Sequence, residues 1–428
     1  MCMYYLYYDE SFHDHHVSIK EGILNTEVSD SRGFIRGSDF FVTAVVGGNR
    51  KYIDKWENKY SIFERFSKNK LKTEYKDDFD ETVEFKGTSI RYSQYKHGIA
   101  SFDNVTSSIY KKLFKSFLNE KDLIFQTTLE SKIEFLISYL FQYGTVDLIS
   151  SDMYPKHRKF QGTLLEIFYR YKTQELLSNI ENGERDRIIH GLKQLILDNT
   201  VNNKIDGLID DVETYLEYFD QITQVNAESH YDWDYKYAIL GVESILTEDY
   251  NIPLSSVVLN IDEEDKTVKA AKEFGFKEVL PFDSEKCTLG RMADFFSNFF
   301  GRMLKSIYDE MILKGNEELN KSWFDLNIDQ FIIYKELGNF FIDRKNIYYV
   351  TQIQANPYIP MTLFNLFSYI SEFQTIENYK KISPSEHSMS FNSLNKEVVQ
   401  AKFVTNDPRD RMIIKQEDSY QSIPLSKL

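Results

Sequence analysis

The feature that most limits what this chain can fold into lies near its start. Residues 3–8 are an unbroken Met-Tyr-Tyr-Leu-Tyr-Tyr run that stops at Asp9-Glu10-Ser11. A strand with one wet face alternates apolar and polar residues. A run without alternation needs cover on both faces, as at the centre of an α/β sheet. Strand side chains alternate sides, so Asp9 shares a face with Tyr7 and Glu10 points the other way. A ligand site at this strand end therefore takes one of the two carboxylates easily, and both only with a bend. Residues 40–46 are a second aromatic and β-branched run, closed by Gly47-Gly48.

The rest of the chain builds around these two runs. Residues 82–86 predict an edge strand ended by Gly87, with Val83 and Phe85 on one face and Glu84 and Lys86 on the other. Residues 123–129 predict a strand and 133–143 a helix. From 164 to 246 apolar residues recur at helical spacing, as in Leu164, Ile167, Phe168 and Tyr171, with no fixed repeat. That region reads as a helical insertion. Residues 255–261 return to β character and end at Asp262, and 276–282 form another extended segment. A long helix runs from Gly290 to about Leu313. Met292, Phe296, Phe299, Met303, Ile307 and Met311 form its apolar stripe, and Arg291, Asp294, Asn298, Gly301 and Lys305 lie on the other side. Residues 328–341 and 361–373 predict helices and 346–353 a strand, while the end from about Ser383 is polar and reads as partly irregular. The expected class is α/β, a mixed sheet flanked by helices. Segments 1–150 and 251–313 supply the core, 151–250 the helical insertion, and 314–428 a C-terminal region with no assigned chemistry.

Charge and cysteine content narrow the function classes. With 51 Lys+Arg against 66 Asp+Glu the net charge is −15. A polyanion is repelled overall, which excludes a non-specific nucleic-acid coat unless a local basic surface overrides the average. An enzyme that meets phosphates through metal ions is less affected, because bound cations invert the local field. Cys2 and Cys287 are too few for a disulfide framework or a zinc site of several cysteines, and they read as reduced thiols of a cytoplasmic protein. No stretch approaches the roughly 20 apolar residues of a membrane span, so no membrane role is expected. The apolar start lacks the basic flank of a secretory signal. The absence of a Walker loop, a GxGxxG opening a helix, a GxSxG and an HExxH disfavours NTPase, dinucleotide, α/β-hydrolase and zincin chemistry.

Three acids end or face regular elements: Asp9 and Asp262 close strands, and Asp294 lies on the polar side of a helix. If the two strands are parallel neighbours, their carboxyl ends converge where ligand sites of open sheets form. Glu84 can enter from an adjacent strand. Such carboxylates cannot all stay ionised without a cation, and oxygen-only ligands select Mg²⁺ or Mn²⁺. Two such ions about 3.5–4 Å apart suit phosphodiester cleavage. With 66 acids in the chain, solvated strand-end carboxylates are the plain alternative. His13, His15 and His16 read either as a solvated loop or as a third ligand or general base. Lys86 can hold a phosphate, neutralise the acids, or simply be exposed. Lys156-His157-Arg158-Lys159 reads as a solvated helix start or a contact to a nucleic-acid backbone.

Tyr7-Tyr8-Asp9-Glu10-Ser11 followed by residues 40–46 resembles the opening of the bacterial family called domain of unknown function 3800. Glu84-Phe85-Lys86-Gly87 is similar to its Glu-Leu-Lys-Gly segment. Residues 257–262 resemble its later strand ending in Asp. Ser284 with Gly290-Arg291-Met292-Ala293-Asp294-Phe295 resembles its closing Ser…Gln-Leu-Ala-Asp-Leu pattern. Two positions depart: Phe12 stands where Gly is usual, and Arg291 where Gln is usual. The resemblance implies an RNase H-like fold and a metal-dependent nuclease in phage defence. Asp9, Glu84, Asp262 and Asp294 would be its catalytic and metal-binding set, with Glu10, Ser11, Lys86 and Ser284 accessory. The implied substrate is RNA or DNA. The alternative is a non-catalytic module on the same fold that binds nucleic acid, or a protein through the helical insertion.

Overall fold

The computed structural model describes residues 2–12, 16–28, 37–75, 84–140, 164–165, 167–201, 212–222, 225–233, 235–316, 318–344, 347–350, 358–405 and 413–415. The strands are β1 (Tyr4–Ser11), β2 (His16–Lys20), β3 (Ile23–Leu24), β4 (Phe40–Asn49), β5 (Lys96–Ile99), β6 (Leu123–Ser131), β7 (His230–Asp232), β8 (Val257–Asp262), β9 (Glu278–Phe282), β10 (Ile347–Val350) and β11 (Ile413–Lys415). The helices are α1 (Arg50–Tyr75), α2 (Asn104–Phe117), α3 (Lys132–Leu140), α4 (Gln174–Glu181), α5 (Arg185–Val201), α6 (Val212–Gln221), α7 (Lys236–Ser244), α8 (Asp265–Ala271), α9 (Thr288–Tyr308), α10 (Ile328–Arg344), α11 (Tyr358–Ser371), α12 (Ile376–Tyr379) and α13 (Pro384–Thr405).

Five strands form the heart of a mixed sheet in the order β6-β4-β1-β8-β9, and β10 and β11 extend it beyond β6. β4 runs antiparallel to both β1 and β6. β8 is parallel to β1, and β9 is parallel to β8. The unalternating start of the chain thus lies in the middle, flanked by β4 and β8, and its last residues Asp9, Glu10 and Ser11 are all buried. A second small sheet has the order β3-β2-β7.

The register separates the two faces. Tyr7 lies opposite Val46, which lies opposite Phe125. Phe125 meets Phe296 of α9 at 4.7 Å and Phe340 of α10 at 5.6 Å. This is the Asp9 face, and α1 and α2 join it through Phe63–Phe295 at 5.8 Å and Phe114–Phe299 at 5.1 Å. Burying each such ring is worth about 1.5–3 kcal/mol, so α9 is held firmly against the sheet. The opposite face carries Tyr8, Glu10 and Thr128, and α7 and α8 cover it. There the Thr128 hydroxyl donates to Ala238 O, and the Thr267 hydroxyl donates to Glu10 Oε2.

Two expectations are corrected. Residues 84–86 are extended but pair with no strand among the described residues, and a 3₁₀ turn, Gly87–Ser89, follows. Residues 384–405 form a 22-residue helix rather than an irregular tail. The strand expected at 346–353 is present as β10, paired in parallel with β6. Thr82, Val83, His13, His15 and the basic run 156–159 lie outside the described residues. Among the described residues no helix is long and apolar enough to cross a membrane.

Candidate functional site: a carboxylate crevice at the end of β1 and β8

β1 and β8 pair in parallel up to Tyr8–Ile261, so the next step sets Asp9 and Asp262 side by side at their carboxyl ends. This is the switch point of the sheet, where β1 has an antiparallel neighbour on one side and a parallel one on the other. α9 crosses the same end. The Ser11 hydroxyl donates to Ser297 O at 2.9 Å and pins the helix to the strand end. Gly301 permits the approach, since a Cβ there would stand 2.6 Å from the Phe12 ring and 2.7 Å from Ser11 Oγ. Phe12 has φ 60°, the left-handed conformation that glycine adopts at no steric cost. The phenylalanine therefore makes a turn that a glycine would make without strain.

Asp294, nearly two turns inside α9, is held by two donors. Gly87 N donates to its Oδ2 at 2.8 Å, and Asn298 Nδ2, one helical turn on, donates to its Oδ1 at 2.8 Å. Gly87 must be glycine, because a Cβ there would run into the Asn298 side chain. This bond brings residues 84–87 onto α9. Phe85 stacks on Phe295 at 5.1 Å, and Glu84 and Lys86 turn into the crevice. Lys86 Nζ lies 2.8 Å from Glu84 Oε2 and donates to Ser284 Oγ at 3.2 Å.

Electrostatics tie the acids together. The Asp9 side chain is 7% exposed. Burial pushes its carboxyl well above the usual range, and the nearby charges of Asp294 and Asp262 push it further. Burial raises Asp294 to about 6, opposed by the Gly87 hydrogen bond and the Lys86 ammonium and assisted by Glu84. Half-buried Asp262 is also raised by burial, against a hydrogen bond from Glu263 N and the charge of Lys86. Burial is the first cause in all three, and like charges close by add to it.

The sequence-derived set therefore divides. Asp9, Asp262, Asp294, Glu84 and Lys86 interact through their charges and Lys86 donates to Ser284, with Glu84 arriving from a loop rather than a strand. Glu10 does not join them. It faces the opposite layer, 4% exposed, where Tyr8 and Thr267 donate to Oε2. Ser11 is occupied with α9. Arg291 makes a two-pronged ion pair with Glu64, at 2.6 and 2.9 Å, and donates to the carbonyls of Ser284 and Glu285. Glu64 lies 227 positions from its partner, so nothing local in the sequence announces it. Asn298 was placed on the polar side of the helix but given no role. Its i+4 spacing from Asp294 was the available signal.

Among the described residues no group of three or more His, Cys, Asp or Glu side chains is placed to hold a metal ion as it stands. Asp9, Asp262, Asp294 and Glu84 feel one another's charge, and the Lys86 ammonium lies beside them. The donor atoms are nevertheless of the kind a hard divalent cation prefers: they are carboxylate oxygens, and burial first, then the charges of Asp294 and Asp262, raises the proton affinity of Asp9. Comparison with protein-family models, curated proteins and solved structures finds no match to this chain.

Proposed function

We propose that this chain is a Mg²⁺- or Mn²⁺-dependent phosphodiester hydrolase acting on RNA or DNA, built on an RNase H-like core of the domain of unknown function 3800 type. The observation that carries the reading is the convergence of Asp9, Asp262 and Asp294, from two parallel strand ends and a helix, with Asp9 raised by burial and then by the charges of the other two. The topology adds support: the first strand is central, the second and third are antiparallel to their neighbours, and the last two are parallel to the first. Asp9, Asp262 and Asp294 would hold the cation. Once bound, it would supply Lewis-acid stabilisation of the phosphate and lower the pKa of a water. The chain's own groups prepare the site. Gly87 N and Asn298 fix the Asp294 rotamer, Ser11 locks α9 to β1, and the aromatic layer beneath excludes water. A cytoplasmic role in phage defence belongs to the same proposal and draws on the family resemblance alone.

The test is thermal melting with increasing Mn²⁺, on wild type and Asp9→Asn in parallel. A cation at a hundredfold excess over its Kd stabilises by about 2.7 kcal/mol, a rise of a few degrees. That rise should vanish in the variant, and wild type alone should then cleave RNA or DNA. If Mn²⁺ moves neither protein, the chain is instead a binding module that meets nucleic acid or protein through residues 151–250.

A further inference from the structure

We infer that the layer made by α1 and α2 is the surface on which a nucleic acid lies, held by its phosphate backbone. The inference takes its substrate class from the phosphodiester hydrolase reading above and names the part of the chain that holds the strand. A net charge of −15 repels a polyanion unless a local basic surface overrides the average. α1 and α2 supply such a surface. Together they carry eleven lysines and arginines against four acids, and α2 has no acid at all. The second half of α1 carries Arg65, Lys68, Lys70 and Lys72 with no acid between Glu64 and Glu74. On the opposite face of the sheet, α7 and α8 carry three lysines against two acids, so the excess is confined to one layer.

Ion pairs absorb only part of this charge. Arg50 pairs with Asp54, Lys55 and Lys59 share Glu120, and Lys111 pairs with Asp329. Arg65, Lys70, Lys112 and Lys115 are exposed and make no ion pair among the described residues. Aromatic packing sets the two helices side by side. Tyr60 meets Phe117 at 6.0 Å, and Phe63 and Tyr110 meet the same Phe295 ring at 5.8 and 5.3 Å, so α1 and α2 run antiparallel. The layer also reaches the acids. Glu64, the neighbour of Arg65, is paired with Arg291 of α9, three positions before Asp294, and Arg291 Nε lies 4.0 Å from Glu84 Oε1. The basic stripe therefore begins beside the carboxylates and runs away from them along α1. Each lysine or arginine that meets a phosphate releases a condensed counterion, so such a surface binds strongly without reading sequence.

The experiment is fluorescence anisotropy of the full chain with fluorescein-labelled single-stranded RNA, single-stranded DNA and duplex DNA, each about 20 nucleotides long. Chelator is present throughout, so that binding is read without cleavage. Wild type should bind at least one of the three, with an affinity that falls steeply as salt rises. The test variants are Arg65→Gln with Lys70→Gln, Lys112→Gln with Lys115→Gln, and all four together. A control carries Lys236→Gln, Lys266→Gln, Lys269→Gln and Lys272→Gln, on and beside α7 and α8, and changes the net charge by the same amount. The quadruple α1–α2 variant should bind at least about tenfold more weakly, with a salt slope lower by about 3, and the control should stay within about twofold of wild type. No binding of any strand by wild type, or equal weakening in the two quadruple variants, would overturn the inference. Displacement of the strand by polyglutamate at equal charge would overturn it too, because the layer would then be a dock for acidic polypeptides. Melting in chelator identifies a variant that has failed to fold, and the two double variants decide the matter if the quadruple one is such a case. The Mn²⁺ test of the hydrolase reading stands apart from these measurements. A Mn²⁺ response with unaltered strand binding in the α1–α2 variants removes this inference alone, and strand binding lost in those variants without any Mn²⁺ response removes the metal-dependent reading alone.

Discussion

Glu10 is one residue from Asp9 and faces the opposite layer, where burial, aided by Glu264, pushes its carboxyl up to about 8. In the unfolded chain a glutamate titrates near 4.3. Between those values the folded state keeps a proton that the unfolded state releases, so stability falls as pH rises from about 4.3 to 8 and stays low above that range. Each pKa unit corresponds to about 1.4 kcal/mol. Glu10→Gln removes this titration, so the variant should gain roughly 2–4 kcal/mol on wild type between pH 5 and pH 8, read by urea unfolding in chelator. A difference that does not change with pH would mean that Glu10 is ionised throughout. The neighbouring turn offers a second check. Phe12 holds φ 60°, which costs a side-chain-bearing residue about 1–2 kcal/mol relative to glycine. Phe12→Ala and Phe12→Gly both lose the ring, but only the glycine is at ease there. Phe12→Gly should be the more stable of the two by about 1 kcal/mol, and the reverse order would show that the turn relaxes to negative φ.

α9 carries the site because a glycine lets it lie on the end of β1. In an exposed helix, alanine in place of glycine gains about 1 kcal/mol. At Gly301 the new Cβ would stand 2.6 Å from Phe12 and 2.7 Å from Ser11 Oγ, and overpacking of this kind costs about 1–3 kcal/mol. Gly301→Ala should therefore lower stability in denaturant despite its better propensity, and should weaken Mn²⁺ binding by moving Asp294 away from Asp9. Unchanged Mn²⁺ affinity would separate the helix position from the site. The sheet was legible in the sequence because its central strands need cover on both faces: residues 3–8 are an unbroken apolar run, and 40–46 and 257–261 are rich in β-branched and other apolar residues interrupted only by Thr43 and Asn260. The Glu84 segment misled for a physical reason. Phe85 enters the Phe63–Phe295 layer while Glu84 and Lys86 enter the crevice, so a loop lying between two environments alternates as an edge strand does. α13 was missed because much of what it buries is polar. Asn392 bonds Leu319 N and O, Asn395 bonds Asn365 and Thr362, and such contacts leave no apolar stripe.

At the scale of the whole molecule, the region after 314 is bound into the core. Gln330 donates to the carbonyls of Ala100 and Phe102, Lys111 pairs with Asp329 at 2.5 Å, and the fully buried Trp323 fills the space beside Gly98. A chain ending at 314 would bare the aromatic rings of α2 and α9 that α10 covers, and should be recovered only as aggregate. Within the region, one buried group ties stability to pH in the sense opposite to Glu10. His387 stacks on Tyr379 at 3.9 Å, and its ring nitrogens meet Tyr379 O and the Tyr369 hydroxyl, each at 2.9 Å. A carbonyl only accepts, so Nε2 donates to it and Nδ1 accepts from Tyr369, which fixes the neutral tautomer. Burial lowers the imidazole below its usual 6.5. Below that value the unfolded chain takes up a proton that the folded chain resists, so this contribution is present above about pH 6.5 and is lost as pH falls through the folded value. His387→Ala removes two hydrogen bonds and a buried ring, a loss of about 2–4 kcal/mol at pH 7.5. At pH 5 wild type has already surrendered part of that advantage, so the cost of the substitution should shrink. Denaturant unfolding of both proteins at the two pH values measures the change, and an equal cost at both would place the His387 titration outside the folding equilibrium.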